Sequence, residues 1–418
     1  MMTKEVLPNG LTLLTEEMPH VRSVAVGVWL KRGSRHERPA QSGICHFIEH
    51  MVFKGTRSRS AEQIAAQVDS IGGHMDAFTS KEYAAFHLKV LDEHLPLAVE
   101  LLSDIVLHPA FDPREMAKEK RVIFEEMAMV EDTPDDLVME MLTAACWPRH
   151  PLGRPILGTR RTVGGFTQKE LLAFFRHAYR PSNLVVAAAG RLRPEEFRAL
   201  ADRYFGALED LASLASAGPP RSVFPAVTRS KKELEQVHLA LAVRGFAQAD
   251  EDRYAGHVLN TVLGGSLSSR LFQNVREKRG LVYSISSGVA TYSDAGMLTV
   301  YAGTGVEKLD EVIRLSVEEM RRLRDEPLGA EELRRARDHL KGGIVLSLES
   351  TASRMSHLAR QEIAFGRQLS FEEIMEGIEA VTPEAVQRMG ARMFTGTLAL
   401  SVLGRLGRWR PRPSALRL

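Results

Sequence analysis

A chain of 418 residues, 44% hydrophobic and 26% charged, has the composition of a globular protein with core enough for two or three domains. Its 55 basic and 53 acidic residues leave a net charge of +2, a balance that gives no support to a nucleic-acid partner. Two cysteines, Cys45 and Cys146, exclude a disulfide framework and fit a reducing compartment.

The N-terminal residues 1–10 lack the apolar core of a signal peptide and the Arg/Ser-rich amphipathic form of a transit peptide. No apolar run is long enough for a bilayer, so the expectation is a cytoplasmic protein without a membrane partner. A strand is predicted over residues 23–31, ending in Lys31-Arg32-Gly33. A helix is predicted next, with Ser42 as its N-cap and Gly55 as its stop. Ile44, Phe47, Ile48 and Met51 form its apolar stripe at i, i+3, i+4, i+7.

A neighbouring face of that helix carries His46, Glu49 and His50, spaced H-x-x-E-H. Residues four apart share a helical face, so two imidazoles can grip one ion. Glu49 lies beside them, where a carboxylate can act on an activated water. Isolated histidines are more often hydrogen-bonded core or surface residues, so the metal reading requires a third ligand. A hydrolytic zinc site takes three protein ligands and leaves one position open.

A further helix spans residues 56–71. A strand, possibly interrupted, covers 75–91, and helices follow at 95–107 and 113–131. The last helix is rich in acids: Glu115, Glu119, Glu125, Glu126 and Glu131. Met116, Val122, Ile123 and Met127 make its apolar stripe, and Glu119 and Glu126 share the edge of Val122 and Ile123. A carboxylate on a core-facing edge is costly unless something positive meets it. Glu115 and Glu125 fit a solvated face with Lys118 and Lys120 better than they fit a site. A late strand closes the half at 183–189.

The stretch from 211 to about 232 is linker-like and divides the chain near its midpoint. The expected organisation is a metal-binding domain at 1–212, a linker at 213–232 and a second, homologous domain at 233–418. The second half repeats the order of elements, with a strand at 236–244, a Gly264-Gly265 pair followed by a helix to 278, and a strand at 288–302. Helices at 308–323 and 330–348 and a late strand at 397–403 complete it. Neighbouring strands favour an α+β fold of two similar α/β sandwich domains, each a largely antiparallel sheet with helices packed on one face. The segment matching the pentad, residues 256–262, holds His257 alone, so only the first half is expected to carry metal.

Several strings now resemble one family. They are residues 43–56 around the pentad, 72–82 with Asp76-Ala77-Phe78, 119–126, 150–158, and 268–283 ending Arg279-Gly280-Leu281-Val282-Tyr283. In order and over nearly the whole chain, they resemble the pitrilysin/insulinase family of inverted-zincin metallopeptidases. The likeness is to its half-length branch of processing-type peptidases. The resemblance implies one Zn²⁺ per chain held by His46, His50 and Glu126, with Glu119 as a supporting acid and Glu49 as general base. It implies an endopeptidase acting on extended or unfolded peptides in an enclosed chamber. Asp76, Ala77 and Phe78 would bind the substrate as an added strand, although the family often has Asn where Asp76 stands. Arg276 and Tyr283 match an Arg–Tyr pair that reaches substrate and transition state. Because one chain supplies half of the family's enclosure, the expected assembly is a homodimer, or a heterodimer with a related subunit. The alternative function is a non-catalytic or partner-dependent subunit of a heterodimeric processing peptidase; intact ligands and a short Leu263–Ser269 loop argue against it.

Overall fold

The structure is a computed structural model that describes residues 2–210 and 217–418; residues 213–216 of the expected linker lie outside the described residues. In chain order the first half supplies β1 (Met2–Val6), β2 (Thr12–Glu17), β3 (Ser23–Leu30), α1 (Ile44–Val52), α2 (Ala61–Ser70), β4 (His74–Thr79), β5 (Ala84–Leu91), α3 (Leu95–Leu107), α4 (Pro113–Asp132), α5 (Pro134–Cys146), α6 (Arg160–Gly165), α7 (Gln168–Ala178), β6 (Leu184–Gly190) and α8 (Pro194–Phe205). The second half supplies β7 (Ala226–Ser230), β8 (Val237–Arg244), α9 (Arg253–Leu263), a π-helical turn at Phe272–Glu277, β9 (Val282–Thr291), β10 (Gly296–Thr304), α10 (Leu309–Asp325), α11 (Ala330–Ser347), α12 (Thr351–Phe365), α13 (Phe371–Glu379), α14 (Pro383–Met393) and β11 (Ala399–Gly404).

These elements form two compact units, each around its own sheet. The first comprises Met1–Met127, Arg154–Ala217 and Leu346–Gln368; the second comprises Ala128–Gly153, Gly218–Val345 and Leu369–Leu418. The first sheet has the order β1-β2-β6-β3-β5-β4, antiparallel except for the β2–β6 pair. The second has the order β7-β11-β8-β10-β9, antiparallel except for β7–β11. Apart from β1, the two sheets share one topology, which matches the expected duplication.

The repeat extends to ion pairs. In the first unit Arg59, just before α2, binds Glu100 and Asp104 on α3. In the second, Arg270, just before the π-helical turn, forks onto Glu332 at 2.9 and 2.8 Å, with the buried Glu319 of α10 at 4.0 Å. Each arginine ties the start of one helical segment to the helices behind it.

Strand alternation explains the layering. In β3, Val24, Val26, Val28 and Leu30 face one core together with Ile44, Phe47 and Ile48 of α1 and much of α3. Ala25 and Trp29 face the opposite side, with Ala85, Val185, Ala187 and Ala189. Helices on one face only were expected, but this second face is covered too. Met355, Leu358 and Ala359 of α12 pack on it. Small residues let the helix approach closely: a Cβ at Gly27 would lie 2.6 Å from Met355 Sδ. The Trp29 indole N–H also donates to Met355 Sδ at 3.1 Å.

The second unit repeats this arrangement. Leu137, Val138 and Leu142 of α5 cover Ala240, Ala242, Ala399 and Leu403. Thus α5, from the N-terminal half of the chain, lies in the second unit, and α12, from the C-terminal half, lies in the first. The expected division at 213–232 assigns both helices the other way.

Candidate metal centre

The sequence of α1 dictates how its polar face is presented. Ile44, Phe47, Ile48 and Met51 are all buried, which leaves His46, Glu49 and His50 on the adjoining side. The helix does not start as expected. Its N-cap is Gly43, in the left-handed region at φ +93°, and the Ser42 hydroxyl finds no partner. The first N–H groups are instead met by a carboxylate from upstream. Glu37 accepts from Gly43 N–H and from Cys45 N–H, each at 2.9 Å. Burial pushes the Glu37 carboxyl up to about 7, against the pull of those two hydrogen bonds.

Opposite α1 stands α4. Met116, Glu119 and Ile123 of this helix are buried, while Val122, expected in the apolar stripe, is 43% exposed. Glu115 pairs with Lys118 at 2.7 Å on the solvated face. Glu126 turns to the histidines: its Oε2 is 3.7 Å from His46 Nε2 and its Oε1 is 3.4 Å from His50 Nε2. Ligand atoms of His46, His50 and Glu126 all lie within 4.8 Å of one another, and no other such group of His, Cys, Asp and Glu occurs among the described residues. Tetrahedral zinc with bonds of about 2.0–2.1 Å sets its ligand atoms roughly 3.4 Å apart, so the cluster is near the size of one ion.

The chemistry of the donors fits as well. Burial, aided by the neighbouring His50, holds the His46 imidazole down at about 3, so it is neutral and free to ligate at pH 7. Glu126 Oε2 and Glu49 Oε2 are buried without a hydrogen-bond partner. Two partly buried carboxylates facing two imidazoles form a pocket of negative charge that a divalent cation would neutralise. Burial raises the Glu49 carboxyl above its usual range; the Glu126 and Asp76 charges add to this, while Thr79 and His50 oppose it.

Glu119, 3% exposed, sits behind His50. Its Oε2 is 3.1 Å from His50 Nδ1 and its Oε1 is 2.7 Å from Lys54 Nζ. A carboxylate on the far nitrogen fixes a ligand histidine's tautomer and ring plane. His46 has no such support, because its Nδ1 is buried and unpartnered. Sequence reasoning assigned no role to Glu37 or Lys54. Glu37 is six residues before the helix cap, a spacing without periodicity, and Lys54 resembles any solvated lysine.

Asp76, Ala77 and Phe78 lie on β4, an edge strand of the first sheet, where Asp76 Oδ1 accepts from Ala77 N–H at 2.8 Å. The strand expected at 75–91 is a hairpin of β4 and β5, and residues 288–302 divide in the same way into β9 and β10. Arg276 and Tyr283 belong to the second unit and meet there. The Arg276 guanidinium lies 4.6 Å from the Phe272 ring centre and 5.7 Å from that of Tyr283, which is 77% exposed. Arg276 sits in the π-helical turn, a distortion often found at functional positions. His257 packs edge-on against Phe246 at 5.3 Å, as a structural residue does.

Two family models match the chain in succession. Residues 12–160 match the family described as insulinase (peptidase family M16), and residues 165–340 match the peptidase M16 inactive domain. A Bacillus subtilis protein named an uncharacterized zinc protease is 41% identical over 97% of this chain and 99% of its own length. A Streptomyces coelicolor protein of the same description is 39% identical over 96% of this chain and 89% of its own. A Helicobacter pylori protease shares the fold at a TM-score of 0.90 and 21% identity, over 96% of this chain and 99% of its own. A Pseudomonas fluorescens structure described as a peptidase M16 inactive domain does so at 0.90 and 22%, over 98% and 100%. No helix among the described residues is long and apolar enough to cross a membrane. With whole-length relatives at this level and both halves matched in order, the chain belongs to the M16, or insulinase, peptidase family as a half-length member.

Proposed function

We propose that this chain is a zinc-dependent endopeptidase that hydrolyses extended or unfolded peptides, with His46, His50 and Glu126 as the ligands of one Zn²⁺. The reading rests on one observation: two imidazoles and a carboxylate converge beside Glu49, whose Oε2 is buried without a hydrogen-bond partner. Bound there, the ion would supply Lewis-acid activation of water and of the scissile carbonyl. Glu49 takes the proton of the attacking water. The same carboxyl then delivers the proton to the leaving amine, so that water and peptide become an acid and an amine. Glu119 holds His50 through Nδ1 and keeps its Nε2 directed at Glu126.

The edge position of β4 supports strand addition by the substrate near Asp76, Ala77 and Phe78. Asp76 can only accept hydrogen bonds when ionised, so it would meet a substrate N–H. The reading includes a dimer, preferably of two identical copies, in which Arg276 and Tyr283 of one copy serve the zinc site of the other. Buried, free Cys45 and Cys146 support a cytoplasmic setting.

The test is Glu49→Gln. This variant should fold and keep one zinc per chain but lose peptide cleavage, and undiminished cleavage would remove Glu49 from the mechanism. The dimer has its own test, in which Glu49→Gln chains are mixed with Arg276→Ala chains. Partial recovery of cleavage is expected, and none in demonstrated mixed dimers would mean self-contained sites.

A further inference from the structure

The two histidines of α1 are held by different means. His50 has an outside partner in Glu119, whereas the Nδ1 of His46 is buried with none. His46 is the third residue of α1, so the main chain of the first turn sets where its imidazole starts from. That turn has no side-chain cap of its own, and its first ladder bond is Phe47 N–H to Gly43 O at 2.9 Å. The N–H groups before it would be left open.

Glu37 closes two of them, those of Gly43 and Cys45, from outside the helix. One oxygen takes Gly43 N–H and the other takes Cys45 N–H, so a single planar carboxylate grips the turn at two points. Glu37 is 4% exposed, and its main-chain carbonyl accepts from Arg154 Nη2 at 2.8 Å, so the grip is itself anchored. The chain enters α1 through a narrow crossing. A Cβ on Gly43 would lie 2.6 Å from Leu157 O, and one on Gly158 (φ +75°) would lie 2.3 Å from Ser42 O. Thr162 Oγ1 donates to Ser42 O at 2.7 Å. Two contacts on residues 43 and 45 oppose both sliding and rotation of this end of the helix. A slip of one residue would turn every side chain by about 100° and move it about 1.5 Å along the axis. Metal ligands tolerate roughly 0.2 Å.

We propose that Glu37 is a positioning residue for the metal centre: its carboxylate clamps the first turn of α1 and thereby sets the place of His46. The inference rests on the reading of His46, His50 and Glu126 as zinc ligands. Glu119 and Glu37 then divide the work, one orienting an imidazole directly and the other fixing the backbone that carries its neighbour.

The experiment is a double-mutant cycle read as zinc affinity by competition with a chromophoric chelator, with the cobalt-substituted absorption spectrum as second readout. Glu37→Gln keeps the shape but turns an amide N–H₂ toward one helix N–H. It should weaken zinc by about tenfold or more and alter the cobalt spectrum, while the metal-free protein keeps its circular dichroism. In a His46→Ala background the same substitution should cost clearly less, because the ligand nearest the clamp is gone. An unchanged affinity, or an equal loss with and without His46, overturns the proposal. Should Glu37→Gln fail to fold, Glu37→Asp carries the same cycle, since it keeps the charge and withdraws it by one methylene. If the wild-type chain binds no zinc at all, the ligand reading fails and the clamp falls with it.

Discussion

Replacing Glu119 by Ala removes the acceptor of His50 Nδ1 at 3.1 Å and of Lys54 Nζ at 2.7 Å in one step. The His50 ring is then free to turn, and the Lys54 ammonium loses its counter-charge beside a cation site. Outer partners of ligand histidines are worth about 10- to 100-fold in metal affinity, or roughly 1.4–2.7 kcal/mol. Glu119→Ala should lie near the upper end, because Glu119 is 3% exposed and little water can take its place. Glu119→Gln should lie near the lower end, since its amide oxygen can still accept from one of the two partners. Chelator competition at neutral pH measures the loss directly, and circular dichroism of the metal-free protein separates it from unfolding. Zinc binding within about twofold of wild type in a well-folded Glu119→Ala protein would refute the claim that Glu119 orients a ligand.

Two further outcomes concern stability. Met355→Ala should cost about 2–5 kcal/mol in urea unfolding, because it opens a void over Gly27 and leaves the Trp29 indole N–H without its sulfur acceptor. A loss under about 1 kcal/mol would mean that α12 is only loosely seated on the first sheet. The second outcome follows from Glu37, whose carboxyl is raised to about 7 from 4.5 by burial. The folded state binds this proton more tightly than the unfolded chain, so the group's contribution is complete below pH 4.5 and is lost as pH rises towards about 7. His36, lowered to about 4 from 6.5 by burial, runs the other way and partly flattens the wild-type profile. The stability of Glu37→Gln relative to wild type should therefore climb by about 3 kcal/mol across the Glu37 window. A level difference curve from parallel urea titrations counts against a buried, proton-binding Glu37.

Periodicity made some of this legible. The stripe Ile44, Phe47, Ile48 and Met51 is buried as its spacing demands, and that burial turns His46, Glu49 and His50 to the other side. Glu119 and Glu126 could be selected from the five glutamates of α4 because only they fall on the edge of Ile123. Val122 departs from that stripe because the edge opens at Glu126, itself a third exposed. Interactions between residues distant in sequence were not legible. Ser42 is a sound helix cap by type, yet a carboxylate from Glu37 displaced it, and nothing local announces that reach. The places of α5 and α12 were missed for a similar reason. Each has an apolar face, but a face does not name its partner. The nearest clue was the smallness of Gly27, Ala187 and Ala189 along strands that are otherwise Val-rich, which signals that a helix must come close.

That exchange of helices bears on how the protein is made. The strands of the first sheet are complete once Gly190 has emerged, but α12, which covers one of its faces, begins only at Thr351. At about 5–20 residues per second, that face waits roughly ten to thirty seconds for its cover during synthesis. Through this interval Trp29, Val185 and their neighbours form a bare apolar surface on the nascent chain. Such a surface calls for a chaperone. Ribosome-bound chains halted near residue 345 should engage one, and chains halted after the whole of α12 has cleared the exit tunnel should release it. For this protein the hazard of aggregation is therefore a matter of timing, set by the order in which the gene is read.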